Sequence, residues 1–529
     1  MTLPRSAADV LADHVTMELE CIDRMYLNLY QPRLQFCEGV VSFLRGHRGH
    51  QIASSALLEP ISRTFVASIH AFAKDRDVPM VDLAKGQRKD DLAHEYLARF
   101  DQPEGVLFIG RAQEKTPVFR TEKRRNLTTG ATYPWIVKTT AMVNHFYVYA
   151  VDADFGPFFL KFCSYFPYNA KLCINGNEWA KRQATKAGIG FEALDNGFAS
   201  CGDPLRLQRI CDRLDPARID RMARKWLKIL PHPFTPTDRR AGYRYDLSVL
   251  QAEFSLTQVL DRAVSGRVFF EQVIRENLDL GRPDRVSLVF DRRIFNGRHR
   301  TQSRFRTRVL TRGVTPSLHV EYKHTTIKQY HKEGRALRTE TTINDTRDFW
   351  IGKRLCNLPA LREVGFSANR RLLTAQTISH DPIIGNTVFH QVTQPLRLGE
   401  RRVAGLRFGD PRAHALLAAV AISRLGPDGF SNRTLREHLA PLLGIDSTQV
   451  SPGRMTYDLR RLRLHGVIER IPSTHRYRLT PFGLRTASFF THAYNRFCRT
   501  GLAEVIDPRT PTPLRRALDD LAARSGLAA

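Results

Sequence analysis

The stretch Arg454–Arg470, RMTYDLRRLRLHGVIER, runs straight into Ile471–Thr480, IPSTHRYRLT. Ser451 and Pro452 precede it, a hydroxyl suited to cap a helix and a ring pre-set for the first helical position. Met455, Leu459 and Leu462 recur at i, i+4 and i+7, one apolar stripe at the helical period. Arg454, Tyr457, Arg460 and Arg461 fall on the opposite side, with Arg463 on a flank. Gly466 ends the helix. Val467–Ile471 and Arg476–Leu479 then read as two short strands, joined by the turn Pro472-Ser473-Thr474-His475.

Working outward, Arg412–Leu425 is an apolar helix, and Ser431 caps a second helix, NRTLREHLAPLLG, that ends near Gly444. A last helix is capped at Thr480-Pro481. In this order the segment Arg412–Ala487, about a seventh of the chain, resembles a winged helix-turn-helix domain. The resemblance implies that the third helix enters the major groove while the hairpin, with Arg476 and Arg478, touches backbone. A winged helix also serves as a protein-contact or dimer module, and both uses stay open here. The outward arginines favour nucleic acid.

The whole chain points the same way. Its 81 Lys and Arg against 53 Asp and Glu give +28, a balance that speaks of polyanionic partners, nucleic acid first and anionic membrane second. A hydrophobic content of 42% is that of a folded protein, so the charge does not mark a disordered tail. No apolar run reaches a membrane span, and MTLPRSAADVLADHV lacks the core of a secretion signal. Eight cysteines form no Cys-x-x-Cys pair, as expected of reduced residues in a cytoplasmic protein.

The charge is concentrated. Residues 281–340 hold fifteen Lys and Arg against five Asp and Glu, a net of +10. Arg304, Arg306 and Arg308 alternate along a strand-like run, so one face carries all three. With Arg292, Arg293, Lys323 and Lys328 they form a row suited to a phosphate backbone, and Phe295, Phe305, Tyr322 and Tyr330 are available for stacking. The other meaning of such a row is a solvated sheet face or a guarded edge.

Cleavage of nucleic acid calls for clustered carboxylates around Mg²⁺. Asp152 and Asp154 stand in YAVDADFG, at the end of an apolar strand, as candidate metal ligands or a plain polar turn. Asp23 lies inside LECIDRMYLN, where an acid is either catalytic or paired with an arginine. Gln113, Glu114 and Lys115 follow the strand GVLFIG, with Asp82, Asp90 and Asp91 upstream. That pattern resembles restriction-type nucleases, which implies acids holding metal and a lysine supporting the attacking water. Asn175, Glu178 and Lys181 in NGNEWAKRQ either join a site or belong to a capped helix. No Walker loop, Gly-x-Ser-x-Gly or His-Glu-x-x-His occurs, so ATPase, triad hydrolase and zinc protease readings lack a basis.

The expected fold is α+β and multidomain, with a mixed-sheet N-terminal region, a basic strand-rich centre and a C-terminal winged helix. Its parts are an α/β domain at 1–130, an aromatic strand pair with helices at 131–235, and a basic α+β region at 236–400. The winged helix occupies 401–500, and a linker with a terminal helix follows at 501–529. In this reading RYDLSVLQAEFSLTQVL is helical. The expected function is nucleic-acid binding, extending to a Mg²⁺-dependent nuclease or strand-processing protein of a mobile element or defence system. The rival is a non-enzymatic replication initiator, regulator or RNA-bound structural partner.

Overall fold

The computed structural model describes residues 14–84, 89–262, 306–312, 315–377, 391–398, 401–407, 410–423 and 429–492, with Arg516 and Asp520. Arg292, Arg293 and Arg304 lie outside the described residues, as does most of the terminal segment. The fold is α+β. The chain divides into two compact units, Met17–Val259 with Arg338–Phe366, and Met1–Thr16 with Leu260–Leu337 and Ser367–Ala529.

The strands, in chain order, are β1 (Val15–Tyr30), β2 (Met80–Asp82), β3 (Gly105–Arg125), β4 (Thr132–Asp152), β5 (Gly156–Cys163) and β6 (Ala170–Asn175). Then come β7 (Phe191–Leu194), β8 (Gly197–Cys201), β9 (Asp246–Leu260), β10 (Arg306–Arg312), β11 (Thr315–Tyr322), β12 (Thr325–Lys332) and β13 (Ala336–Ile343). In the first unit the sheet order is β13-β9-β1-β6-β5-β4-β3-β2. β2 runs parallel to β3, while β3-β4, β4-β5, β5-β6 and β6-β1 are antiparallel. β1 alternates on either side of a fully buried centre: Met17 and Leu19, then Met25, Leu27 and Leu29, are buried with more exposed residues between them, while Cys21, Ile22 and Asp23 are buried in succession.

Five longer helices accompany this sheet: α1 (Leu58–Asp75), α2 (Lys89–Ala98), α3 (Gly176–Lys186), α4 (Pro204–Asp212) and α5 (Pro216–Ile229). α1 packs Phe65 edge-on against Phe162 of β5, ring centroids 5.8 Å apart. α2 lies over Phe108 of β3 and Tyr149 of β4, with Tyr96 stacked on Phe108 at 4.7 Å.

The segment read as helical, Arg244–Leu260, is instead the central strand β9. Its residues from Ala252 on are buried almost without interruption, between β13 on one side and β1 on the other. A strand covered on both faces loses its period-two signature, and its apolar run then mimics a buried helix.

In the second unit, β10, β11 and β12 form an antiparallel meander, with Val320 facing Ile327 and His319 facing Lys328. α6 (Leu358–Thr377) crosses the unit boundary, and its Ala368 and Leu372 pack on Val320 and Ile327. The C-terminal part reads α7 (Pro411–Ile422), α8 (Asn432–Leu443), α9 (Pro452–Leu464), the hairpin β14 (Ile468–Arg470) and β15 (Tyr477–Leu479), then α10 (Pro481–His492). Ser431 and Ser451 cap α8 and α9 by accepting from Thr434 N and Arg454 N, both at 3.2 Å. Met455, Leu459 and Leu462 share one core with Leu416, Val420, Leu435 and Leu439. Gly466, at φ 73°, takes the left-handed turn that ends α9. Among the described residues no helix is long and apolar enough to cross a membrane, and the seven described cysteines are free.

Candidate functional site

Strand β1 delivers Asp23 to the interior, where it is 2% exposed. An ionised carboxylate there must be paired. Arg338 of β13, itself 0% exposed, donates through Nη2 to Asp23 Oδ2. Oδ1 accepts from Asn177 Nδ2 at 3.2 Å and from Asn196 Nδ2. Asn196 in turn offers its carbonyl to Arg338 Nη1. These amides are placed by local structure. Asn175 caps α3, accepting from Asn177 N at 2.9 Å, and the helix start presses so close that a Cβ on Gly176 would meet Ile22 O at 2.1 Å.

Two further acids complete the cluster. Ligand oxygens of Asp23, Glu253 and Glu340 all lie within 4.8 Å of one another. Among the described residues this is the one group of three or more acids, histidines or cysteines so placed. Arg338 Nε approaches Glu340 at 3.4 Å, so the guanidinium serves two of the three carboxylates. Burial, together with Glu340 and Asp23, pushes Glu253 up to about 8, against the pull of Arg24 and Arg338. At neutral pH Glu253 therefore holds a proton, which relieves the repulsion among three carboxylates. The donor set is all oxygen and suits a hard divalent ion. Arg338 is the cation in place.

The other expected acids go elsewhere. Asp152 is 1% exposed and each of its oxygens already serves two donors. Oδ1 accepts Asp154 N at 2.8 Å and Phe155 N at 3.0 Å, while Oδ2 accepts Lys225 Nζ and Trp226 Nε1, both at 2.8 Å. A carboxylate so engaged fits a pinned turn rather than an ion. Asp154 sits at the surface in an ion pair with Lys186, which holds its carboxyl below the usual range. Asp82 pairs with Arg111 through two bonds of 2.6 and 2.8 Å, and Lys115 is exposed on the opposite strand face from Glu114. Glu114 receives Tyr147 Oη and Lys161 Nζ. Burial opposes its ionisation, but those two bonds outweigh it and hold the carboxyl at about 2. Glu178 and Lys181 pair with each other at 2.7 Å.

Sequence reasoning singled out Asp23 and missed Arg338, Glu253 and Glu340. A signal existed: Glu253 interrupts the apolar run of β9, and Arg338 and Glu340 alternate on one strand.

The basic residues divide sharply. Arg454, Arg460 and Arg463 are exposed on α9, and Tyr457 is 52% exposed beside them. Arg461, expected on the same face, turns toward the chain ahead of α7 and donates to the carbonyls of Ala404, at 2.8 Å, and Gly405. Arg476 donates to Gly429 O at 2.8 Å, and Arg478 pairs with Glu469 across the hairpin at 2.5 Å. Arg306 and Arg308 lie two apart on β10. Lys328 sits over the Tyr330 ring at 4.2 Å, and Lys323 occupies the β11-β12 turn with φ 50°.

No family model, curated protein or solved structure matches this chain.

Proposed function

We propose that the protein binds nucleic acid, and that 411–492 is a winged helix-turn-helix module whose helix α9 docks on duplex DNA. The observation that carries this reading is the division of α9. Met455, Leu459 and Leu462 are buried, while Arg454, Tyr457, Arg460 and Arg463 face solvent along the other side. Helix, helix, helix, hairpin is the order in which such modules present a third helix to the major groove. The net charge of +28 and the basic 281–340 segment support the same partner through phosphate attraction.

The test is duplex binding by the full chain with Arg454, Arg460 and Arg463 all changed to Ala. Affinity falls for unrelated sequences alike, and the salt dependence flattens by up to about 2.7, three phosphate contacts' worth. An unchanged slope would assign the module to a protein partner.

A second reading, metal-dependent cleavage or strand processing, is favoured by the Asp23/Glu253/Glu340 group. A divalent ion there would stabilise charge at a phosphodiester. For these residues to hold it, Glu253 must release its proton and Arg338 must share Asp23 and Glu340. Mg²⁺ or Mn²⁺ should then raise the Tm, increasingly so from pH 7 to 9, and Glu253→Gln should remove that rise. No metal-dependent shift at any pH would leave the group as an ion-pair knot alone.

A further inference from the structure

The sheet of the first unit is closed on one face and partly open on the other. On the closed face Leu27, Leu172, Leu160 and Val148 are buried. The open face carries two cross-strand rows set by register. One runs Asn28, Lys171, Lys161, Tyr147 across β1, β6, β5 and β4. Beside it runs Tyr26, Cys173, Phe159, Tyr149, Phe108. Directly opposed residues share a face, so a polar, cationic row lies alongside an aromatic one.

The rings of the second row are in mutual contact. Tyr26 and Phe159 are 6.1 Å apart, Phe159 and Tyr149 5.3 Å, and Tyr149 and Phe108 4.6 Å. Among the described residues, α2 covers the Phe108 end and leaves the β1-β6-β5 end accessible. There Arg24 and Lys171 are exposed, and Tyr26, Cys173 and Phe159 are half-buried. Lys161 is 7% exposed and bound to Glu114, and Lys89 of α2 stands 3.7 Å from the Tyr147 ring. Lys161 and Lys89 are balanced by Glu114 and Asp90, and Arg24 stands near Glu253 and Asp23, which leaves Arg24 and Lys171 as the exposed cations of a sheet face where rings are also available. Burial is the main cause that weakens the charged form of Lys161, Glu114 opposes it, and Lys171 and Lys89 weaken that form further.

We infer that this open face of β1, β6 and β5 binds single-stranded nucleic acid, its phosphates on Arg24 and Lys171 and its bases on Tyr26 and Phe159. Charge complementarity selects a polyanion, and the adjoining aromatic row selects one with flat apolar faces to stack. A duplex hides those faces, whereas a single strand presents them. The choice of ligand rests on the nucleic-acid reading above, but the residues are distinct from those of α9.

The experiment uses the full chain and fluorescence anisotropy with dT15, rU15, an abasic 15-mer and a 20-bp duplex. Arg24→Ala/Lys171→Ala should weaken dT15 or rU15 about tenfold and flatten its salt slope by about 1.4, two single-strand phosphate contacts. Duplex affinity should stay within about twofold. Tyr26→Leu should weaken the base-bearing strand by about fivefold or more while leaving the abasic strand unchanged. Whichever of dT15 and rU15 responds more identifies DNA or RNA. The inference is overturned if wild type binds neither strand, or if the double variant, at unchanged Tm, binds single strands like wild type. It is equally overturned if polyphosphate competes as well as dT15, or if single-strand and duplex affinity fall together. Single-strand binding without duplex binding would sink the winged-helix reading and leave this face standing.

Discussion

Arg338 and Arg460 carry the same guanidinium in opposite settings. Arg338, in the sheet unit, is fully buried, donates to Asp23 and Asn196, and stands 3.4 Å from Glu340, holding several strands to one charge balance. Arg460 stands on the outer face of α9, exposed to solvent. An arginine committed to protein acceptors is part of the fold. One that is exposed beside others like it is available to a partner. The contrast explains why a count of +28 says little by itself: Lys161, Lys225, Arg412 and Arg461 belong to the first kind.

The comparison breaks first at Arg338. Replacing it with Met leaves Asp23 and Glu340 without their cation in a dry interior, which should cost roughly 3–5 kcal/mol in urea unfolding. Adding Asp23→Asn to Arg338→Met should recover part of that loss, because only one of the two stranded carboxylates, Glu340, then remains. A loss below about 1 kcal/mol in the single variant would mean the cluster is solvated and Arg338 dispensable.

On the C-terminal side the vulnerable residue is apolar. Leu459 is 2% exposed within the core formed by α7, α8 and α9. Leu459→Ala should cost about 2–5 kcal/mol, a range set by how far the cavity collapses. Binding should weaken only in step with unfolding.

Glu253 and Glu114 sharpen the comparison through pH. Glu253 titrates ordinarily at 4.5 and is raised to about 8. Below 4.5 it is protonated folded and unfolded, and pH has no hold on it. Between the two values only the folded chain keeps the proton, so stability falls as pH rises, by up to about 1.4 kcal/mol per unit. Above about 8 the penalty is complete. Glu253→Gln should abolish that fall. Glu114, held at about 2, acts in the other direction: its contribution is present above 4.5 and is lost as pH drops toward 2. Tm measured from pH 4 to 9 checks Glu253, and a profile identical in Glu253→Gln would reject the shifted proton.

How much of this was legible in the sequence depends on the reach of the contacts. α9 was legible because Met455, Leu459, Leu462 and Gly466 are local in sequence and a helix displays its buried face every three or four residues. Arg461 was not, since its partners Ala404 and Gly405 precede it by more than fifty residues. The acid cluster was legible only as the anomaly of Asp23. Its partners at 253, 338 and 340 reach it through sheet pairings, and Asn196 through the β7-β8 turn, none of which a local pattern encodes. Asp152 looked exposed in YAVDADFG because a turn at Gly156 suggests solvent, yet α5 covers it with Lys225 and Trp226.

The smallest expected effect is the most discriminating, because Arg460 and Arg461 are neighbours on one helix with different duties. Arg460→Ala removes an exposed side chain and should change stability by no more than about 0.5 kcal/mol. Arg461→Ala leaves the carbonyls of Ala404 and Gly405 without a charged donor and should cost about 1.5–3 kcal/mol. Duplex binding should show the reverse order. Loss of Arg460 should weaken it by roughly 1–3 kcal/mol with relaxed preference at one position if the side chain reads a guanine edge. A loss uniform across sequences would place it on phosphate instead. Arg461→Ala, once corrected for the fraction folded, should bind nearly as wild type. If the two substitutions behave alike in both assays, the division between structural and available arginines fails at the place where it is drawn most finely.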